Sequence, residues 1–490
     1  MSLLFRSAIK TRSCRSCFHR HRLTPRTIPA RSAGDDERNR LSDGTISPEL
    51  KVFNIFRDEF KGYMKSSGSD TTEPPFPKEV DILVIGGGIM GSSVAYWLKQ
   101  RAPESFSLAV VERDLTYSRS STVLSVGGIR QQFSLPENIQ LSLFSAQFLR
   151  NVKRNLSVLD FDPPNIQFQP HGYLFLASEG GAEQMVKNLD VQEEYGAKVE
   201  LLRPPELKQQ FPWLNTDGIA LGSHGLENEG WFDPWSLLTA FRRKAVSLGA
   251  RYLNAELVDF NFGEVRNTAP DSIDDEYYRP VNHAIVIMSA LFLRALFSPL
   301  LLTAGTIVNS GYTRGPLRIT SLLFSFLLRG PVSIITRQKC LYFPISSPKW
   351  PSIIQTAGFY INGAELHGER PDEEPDIGEL DVDYSFFDKA IWPSLSNRIQ
   401  AFESIKMKTA WAGFYDYNTL DQNGIVGRHP YYNNVFFATG FSGHGIQMAP
   451  GVGRAIMELI LDGRYVSIDL ERFGLERLVH RAPLLERAIV

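Results

Sequence analysis

Asp81-Ile-Leu-Val-Ile-Gly86-Gly87-Gly88-Ile-Met-Gly91 reads as a buried strand, a glycine turn and the start of a helix. Gly86 permits the tight turn. Gly88 carries no side chain where backbone must approach a phosphate, and Gly91 lets the helix pack against the strand. The helix start offers free N–H groups and the positive end of its dipole to an anion. Val94 and Leu98 continue the helical pattern. A second strand ends at Val110-Val111-Glu112. Its carboxylate lies about 20 residues beyond the glycines, where it accepts hydrogen bonds from ribose hydroxyls and repels a 2′-phosphate, which argues against NADP. A bare glycine triad would equally suit a strand–helix turn with no ligand. The apolar strand, the helical pattern and Glu112 together favour a dinucleotide, without separating FAD from NAD.

The 490 residues are enough for two or three lobes, with 43% hydrophobic and 22% charged residues, as in an ordinary globular protein. The net charge of −2 conceals segregation. Residues 1–34 hold Arg6, Lys10, Arg12, Arg15, Arg20, Arg22, Arg26 and Arg31 and no acid, and the rest carries a net negative charge. That balance argues against a nucleic-acid partner. An Arg-rich, acid-free N-terminus with Leu3, Leu4, Phe5 and Ile9 matches a mitochondrial transit peptide, the alternative being a basic tail. Cys14 and Cys17, with His19 and His21 nearby, resemble metal ligands, but they fall inside the targeting segment, so no metal site is expected. Cys340 then remains alone, which suits a reducing matrix.

Ser47-Pro48 opens a helix with Phe53, Phe56 and Phe60 on one face, and Ser66 to Pro77 is a polar linker. Helices are expected from Pro136 to Val152, Ala182 to Tyr195 and Pro204 to Phe211, and from Asp233-Pro234 to Leu248, ended by Gly249. Strands are expected at 166–178 and near 251–260. Residues 277–364 contain no Asp or Glu. Within them, Ile285 to Val308 is mostly apolar, but Arg294 and Pro299 interrupt it and argue against a membrane span.

Near the C-terminus, Phe436-Phe-Ala-Thr-Gly440-Phe-Ser-Gly443-His444-Gly445 precedes Pro450-Gly-Val-Gly453-Arg-Ala. Glycines 440, 443 and 445 let backbone N–H groups approach a flat ring, and a helix starting near Pro450 points its positive end the same way. Such a site stabilises negative charge at the N1–C2=O edge of a reduced flavin. Alone it would equally be a glycine-rich turn; paired with the first turn it favours FAD over a nicotinamide.

Together these motifs resemble the glycine/D-amino-acid oxidase (DAO) family of FAD-dependent oxidoreductases. The runs from Ser125-Val-Gly-Gly-Ile-Arg130 to Ser145, Glu229-Gly-Trp-Phe-Asp-Pro-Trp235 and Trp411-Ala-Gly-Phe-Tyr-Asp-Tyr-Asn418 to Gly424 resemble a mitochondrial branch associated with assembly of respiratory complex I. The resemblance spans about 79–287 and 365–470. It implies FAD, with Gly86, Gly88 and Gly91 at the pyrophosphate and Glu112 at the ribose. Ser120 and Ser121 would touch the cofactor, Leu257 would meet the adenine, and Gly443, His444 and Gly445 would lie at the flavin ring. It also implies a matrix location, complex I assembly intermediates as partners and peripheral contact with the inner membrane.

Three departures stand out. Sarcosine-type members place a Lys two residues after Gly-His-Gly to pair a substrate carboxylate, and here it is Gln447; a neutral amide cannot make that charge-assisted bond. Arg130 could substitute. No Cys lies near Gly413 to tether FAD, and Met288-Ser289-Ala290 stands where an Asn-x-Ala-Gly turn is usual. The expected fold is α/β, with a Rossmann-like FAD lobe (79–165, 215–290, 405–470) interleaved with an antiparallel-sheet substrate lobe (166–214, 291–404) and a C-terminal tail at 471–490. The expected chemistry is hydride transfer from an amine-type substrate to flavin N5. His444, Arg130, Gln447, Tyr415 and Tyr417 are the candidate catalytic or substrate-facing side chains. The rival reading is a non-catalytic flavin-fold assembly factor.

Overall fold

The computed structural model describes residues 5–10, 77, 79–159, 161–262, 284–287, 334–342, 380, 382, 384–404, 410–418, 420–430, 432 and 434–487. The expectations for the transit peptide, the Cys14/Cys17 pair, the helix after Ser47 and the 66–77 linker therefore lie almost wholly outside the described residues. So do Met288–Ala290 and most of the acid-free segment. Contacts divide the chain into Met1–Ile9 with Val80–Val490, and Lys10–Glu79; the site lies in the first unit.

A six-stranded sheet organises that unit. Its order is Ile425–Arg428, Val435–Thr439, Ala284–Ile287, Ile82–Ile85, Leu108–Glu112 and Arg251–Asn254. All neighbours run parallel except the Ile425–Arg428 edge. Ile82–Ile85 is wholly buried. Continuous β-branched and leucine residues are what a parallel strand covered on both faces requires. Of the acid-free segment, Ala284–Ile287 lies in the middle of this sheet, in register with Ile82–Ile85 on one side and Val435–Phe437 on the other.

Two helices cover one region of the sheet. Ile89–Arg101 follows the first glycine turn, and Gly445–Leu461 follows the second. They cross closely. A Cβ on Gly453 would overlap Ser93, and one on Gly451 would come within 2.7 Å of Leu141. Ser93 Oγ donates to Ala449 O at 2.8 Å, and Trp97 Nε1 donates to Pro450 O at 2.9 Å. These bonds tie the crossing at the level of Pro450. The second helix starts at Gly445, not near Pro450 as expected. Proline in a helix lacks one N–H and crowds the carbonyl four residues back; here it is held inside the first turns because the surrounding residues are all buried.

Pro234–Ser247 is capped as its sequence indicates: Asp233 accepts from Trp235 N–H at 3.1 Å, and Gly249 follows with φ +94°. Helices Pro136–Arg150, Glu179–Glu194 and Pro204–Gln210 fall near their expected positions. The 166–178 strand narrows to Tyr173–Ala177, and the 251–260 strand divides into Arg251–Asn254 and Glu256–Phe262.

A separate antiparallel sheet is ordered Tyr173–Ala177, Leu221–Gly225, Val199–Leu202. A longer pair joins Ile334–Tyr342 to Trp411–Asn418. Leu221–Gly225 and Trp411–Asn418, which the sequence reading assigned to the FAD lobe, thus pair with strands it assigned to the substrate lobe. No local pattern specifies such pairing.

The expected tail from 471 is packed as far as it is described. Arg477 donates to both oxygens of Asp421, Nε to Oδ2 at 2.6 Å and Nη2 to Oδ1 at 3.2 Å, with both side chains buried. Its remaining N–H groups reach the carbonyls of Phe473, Gly474, Asn423 and Gly424. Glu486 accepts from Leu135 N–H and Asn138 Nδ2. Removing one partner of such a buried, fully bonded pair strands the other. Arg477→Leu should lower the unfolding free energy by about 3–5 kcal/mol, measured by denaturant titration. An unchanged midpoint would show that the C-terminal segment contributes nothing.

Candidate functional site

Both glycine turns emerge from carboxyl ends of parallel strands in the same sheet. Ile85, Ile287 and Phe437 lie side by side, so the turns that follow Ile85 and Thr439 are two strand spacings apart, about 10 Å. Ligands of open α/β sheets bind along this edge. The expectation that the two motifs share one face holds.

At the first turn Gly86 takes φ +99°, and its N–H bonds Val111 O at 2.9 Å. Gly91 is required by contact, because a Cβ there would overlap Gly86 O. Gly88 is the N-cap and makes no side-chain cap bond. A Cβ at Gly88 would meet only the hydroxyls of Thr122, at 3.3 Å, and Ser120, at 3.9 Å. Glu112 Oε2 accepts from Gly87 N–H at 2.8 Å, and Oε1 accepts from Asp114 N–H at 3.0 Å. The carboxylate thus sits against the turn, with both oxygens on backbone N–H groups. Leu257 is buried just beyond Ala255, whose N–H bonds Glu112 O. Of the serine pair, Ser120 is half-buried and Ser121 exposed. Thr122, which the sequence reading passed over, is the residue that turns inward: its Oγ1 accepts from Ile89 N–H at 3.1 Å.

The second turn is built from left-handed residues, Gly440 at φ +73°, Ser442 at +49° and Gly443 at +88°. His444 is the N-cap and makes no side-chain cap bond. Gly440 does not present its N–H to a ring as expected. Asp416 Oδ2 accepts from Gly440 N–H and, at 3.1 Å, from Phe441 N–H. Burial raises the Asp416 carboxyl above its ordinary range, against the pull of these N–H groups. Asp416 was legible only as an acid within an aromatic strand; its place beneath the turn follows from tertiary packing.

Three candidate side chains converge at this helix start. Gln447 Oε1 accepts from Arg130 N–H at 2.8 Å, and Arg130 Nη2 lies 3.2 Å from His444 Nε2. Arg130 Nη1 bonds Gln132 O, and its guanidinium lies 4.1 Å over the Phe133 ring and 5.0 Å over Phe175. A guanidinium only donates, so His444 Nε2 accepts and the imidazole proton is on Nδ1. Burial first, and then Arg130, push the His444 pKa down to about 3. Gln447 uses its oxygen on the chain itself. Tyr415 and Tyr417 lie on the Trp411–Asn418 strand opposite Gln338 and Ile335; their side chains are outside the described part.

Glu229 is a further residue that sequence reading left without a role. It is buried, Oε1 accepts from Gln131 N–H at 2.7 Å, and burial pushes its pKa up to about 8. The only signal was an acid just ahead of the aromatic run Trp231-Phe232.

The residues fit FAD. Two helix N-termini whose own N-cap residues make no side-chain cap bond lie at one sheet edge, suited to anionic groups. One end carries hydroxyls and a carboxylate for phosphate and ribose, the other an arginine for a ring that gains negative charge. Two expectations follow. Glu112→Ala, which also frees the Gly87 N–H, should weaken FAD retention about 10- to 100-fold, the equivalent of one or two hydrogen bonds to a charged group; flavin titration of the apoprotein checks it. A depressed histidine pKa means that the unfolded chain binds more protons between pH 3 and 6.5, so stability falls as pH drops through that window. His444→Gln should flatten that fall, leaving the part due to His429, whose pKa burial lowers to about 4; thermal melts across pH measure it.

Comparison with known proteins agrees with this geometry. The family model described as FAD dependent oxidoreductase (DAO) matches residues 81–459. "FAD-dependent oxidoreductase domain-containing protein 1" of Xenopus laevis is 47% identical over 84% of this chain and 85% of its own length. The Bos taurus protein of that name is 43% identical over 86% and 89%. Among solved structures, L-proline dehydrogenase from P. horikoshii superposes with TM-score 0.60 at 22% identity, covering 84% of this chain and 100% of the other. Glycine oxidase from Geobacillus kaustophilus gives 0.57 at 17% identity, with 81% and 98% covered. The chain belongs to the DAO family of FAD-dependent oxidoreductases.

Proposed function

We propose that the chain oxidises an amine-type small molecule in the mitochondrial matrix, the substrate C–H passing as hydride to flavin N5. The observation that carries this reading is the fixed guanidinium of Arg130 beside a neutral His444 at the N-terminus of the Gly445–Leu461 helix. The two structural relatives named above oxidise amine-type substrates by name, which supports the substrate class. Bound FAD supplies the two-electron acceptor.

The chain's own residues do the rest. Arg130 is held by Gln447, by Gln132 O and between two phenylalanine rings, so its positive charge needs no reorganisation when negative charge develops nearby. With its pKa pushed down to about 3, His444 takes up no proton near neutrality, and we take the amine to reach the site already deprotonated. Gln447 cannot pair a substrate carboxylate; we assign that contact to Arg130.

A panel of N-methyl and secondary amines should bleach the flavin anaerobically. The rate should rise as pH approaches the amine's own pKa, without a histidine limb between pH 5 and 8. Arg130→Met should lower kcat/KM by about 10²–10³-fold, as loss of one preorganised charge contact does. Failure of every amine to bleach would overturn the reading. A second reading, a flavin-fold assembly factor for respiratory complex I at the inner membrane, is favoured by Gln447 standing where related oxidases carry Lys. Gly88→Trp separates the two: a folded, flavin-free variant that still restores complex assembly favours the structural role, and one that fails favours a redox role.

A further inference from the structure

Glu229 is the buried acid that the reading above leaves unused. It is 1% exposed, and its Oε2 has no hydrogen-bond partner. Its Oε1 accepts the Gln131 N–H at 2.7 Å, one residue from Arg130. The same segment carries two more buried acceptors without partners, Gln131 Oε1 and Gln132 Oε1. Their amide nitrogens are used: Gln131 Nε2 donates to Ser142 Oγ and Asn228 O, and Gln132 Nε2 donates to Ser223 O and Oγ. A buried acceptor left without a donor is costly, and a proton on the Glu229 carboxyl lowers that cost for Oε2.

The room for that carboxyl is built in. A Cβ at residue 225 would overlap Glu229 Oε2, so Gly225 leaves the space that the acid fills. From there the chain of contacts is short. Glu229 holds Gln131 N–H, Gln447 holds Arg130 N–H, Ser142 Oγ bonds Arg130 O, and Arg130 reaches His444. The backbone on both sides of Arg130 is thereby fixed.

We propose that Glu229 is a positioning residue: its carboxyl clamps the Gln131 N–H and so sets the place of the Arg130 guanidinium beside His444 at the flavin end of the site. This rests on the flavin reading.

Among the described residues, the Gln131 segment brings Arg130 to it and the Tyr173–Ala177 strand brings Tyr173. Burial pushes the carboxyl up to about 8, outweighing the Gln131 N–H and Arg130. Burial thus favours the neutral acid, for which Gln is the isosteric stand-in, and the ionised form attracts the Arg130 guanidinium.

The test compares Glu229→Gln and Glu229→Ala in flavin-loaded protein, using sulfite as probe. Sulfite adds its lone pair to flavin N5 and moves an electron pair to the N1–C2=O edge, so its affinity reports positive charge there. The readout is loss of visible absorbance. At pH 7, Glu229→Ala should bind sulfite about tenfold more weakly or worse, a loss near 1.4 kcal/mol, whereas Glu229→Gln should stay within about twofold. Wild-type affinity should shift through pH 8 while that of Glu229→Gln does not. In an Arg130→Ala background, Glu229→Ala should add nothing. Wild-type affinity in Glu229→Ala, a Gln variant as weak as the Ala variant, or additive losses with Arg130→Ala would each overturn the proposal. If Glu229→Ala does not fold, the wild-type and Gln pH profiles still decide. Wild-type protein purified without flavin would instead overturn the flavin reading, which separates the two failures.

Discussion

The crossing of the Ile89–Arg101 and Gly445–Leu461 helices is the constraint on which the site depends. Each helix begins at a glycine turn, and each turn ends a strand of one parallel sheet. Gly453 brings backbone against Ser93, and two side-chain bonds tie the second helix at Ala449 and Pro450. If the helices were further apart, their N-termini would diverge and could not serve two parts of one nucleotide. Small residues at the crossing are therefore as important to the site as the glycines that face it.

The two ends of the site differ in their electrostatics. At the first turn a carboxylate and hydroxyls surround backbone N–H groups, which suits ribose and phosphate. At the second, a buried guanidinium sits on aromatic faces next to a neutral imidazole. Low dielectric strengthens that charge, and among its described contacts are the Gln132 carbonyl, the His444 imidazole and two phenylalanine π-faces. The same desolvation explains the opposite shifts of His444, pushed down, and Glu229, pushed up. At the second turn, desolvation thus biases both titratable groups toward their neutral forms beside the Arg130 cation.

Legibility varied with the range of the interaction. Gly86, Gly91 and Glu112 could be read because strand, turn and helix are contiguous, and each glycine has one steric reason. The pairing of Arg130 with His444 and Gln447 joins residues more than three hundred positions apart, so local pattern listed its members without showing that they touch. Thr122 was missed because three consecutive hydroxyl residues in a tight turn give no clue to which one faces inward. Asp416 and Glu229 were missed because a buried acid is recognisable only once its surroundings are known.

What the sequence alone determined was the nucleotide turn, the second glycine motif, the α/β class and the order of its helices, since these depend on neighbours a few residues apart. What only the tertiary structure decided was the start of the second helix at Gly445, the pairing of Leu221–Gly225 with Tyr173–Ala177 and of Trp411–Asn418 with Ile334–Tyr342, the packing of the C-terminal segment through Arg477 and the direction in which burial shifts the titratable groups. Each of these depends on distant backbone pairing or on exclusion of water, and neither is encoded in any one window of the chain.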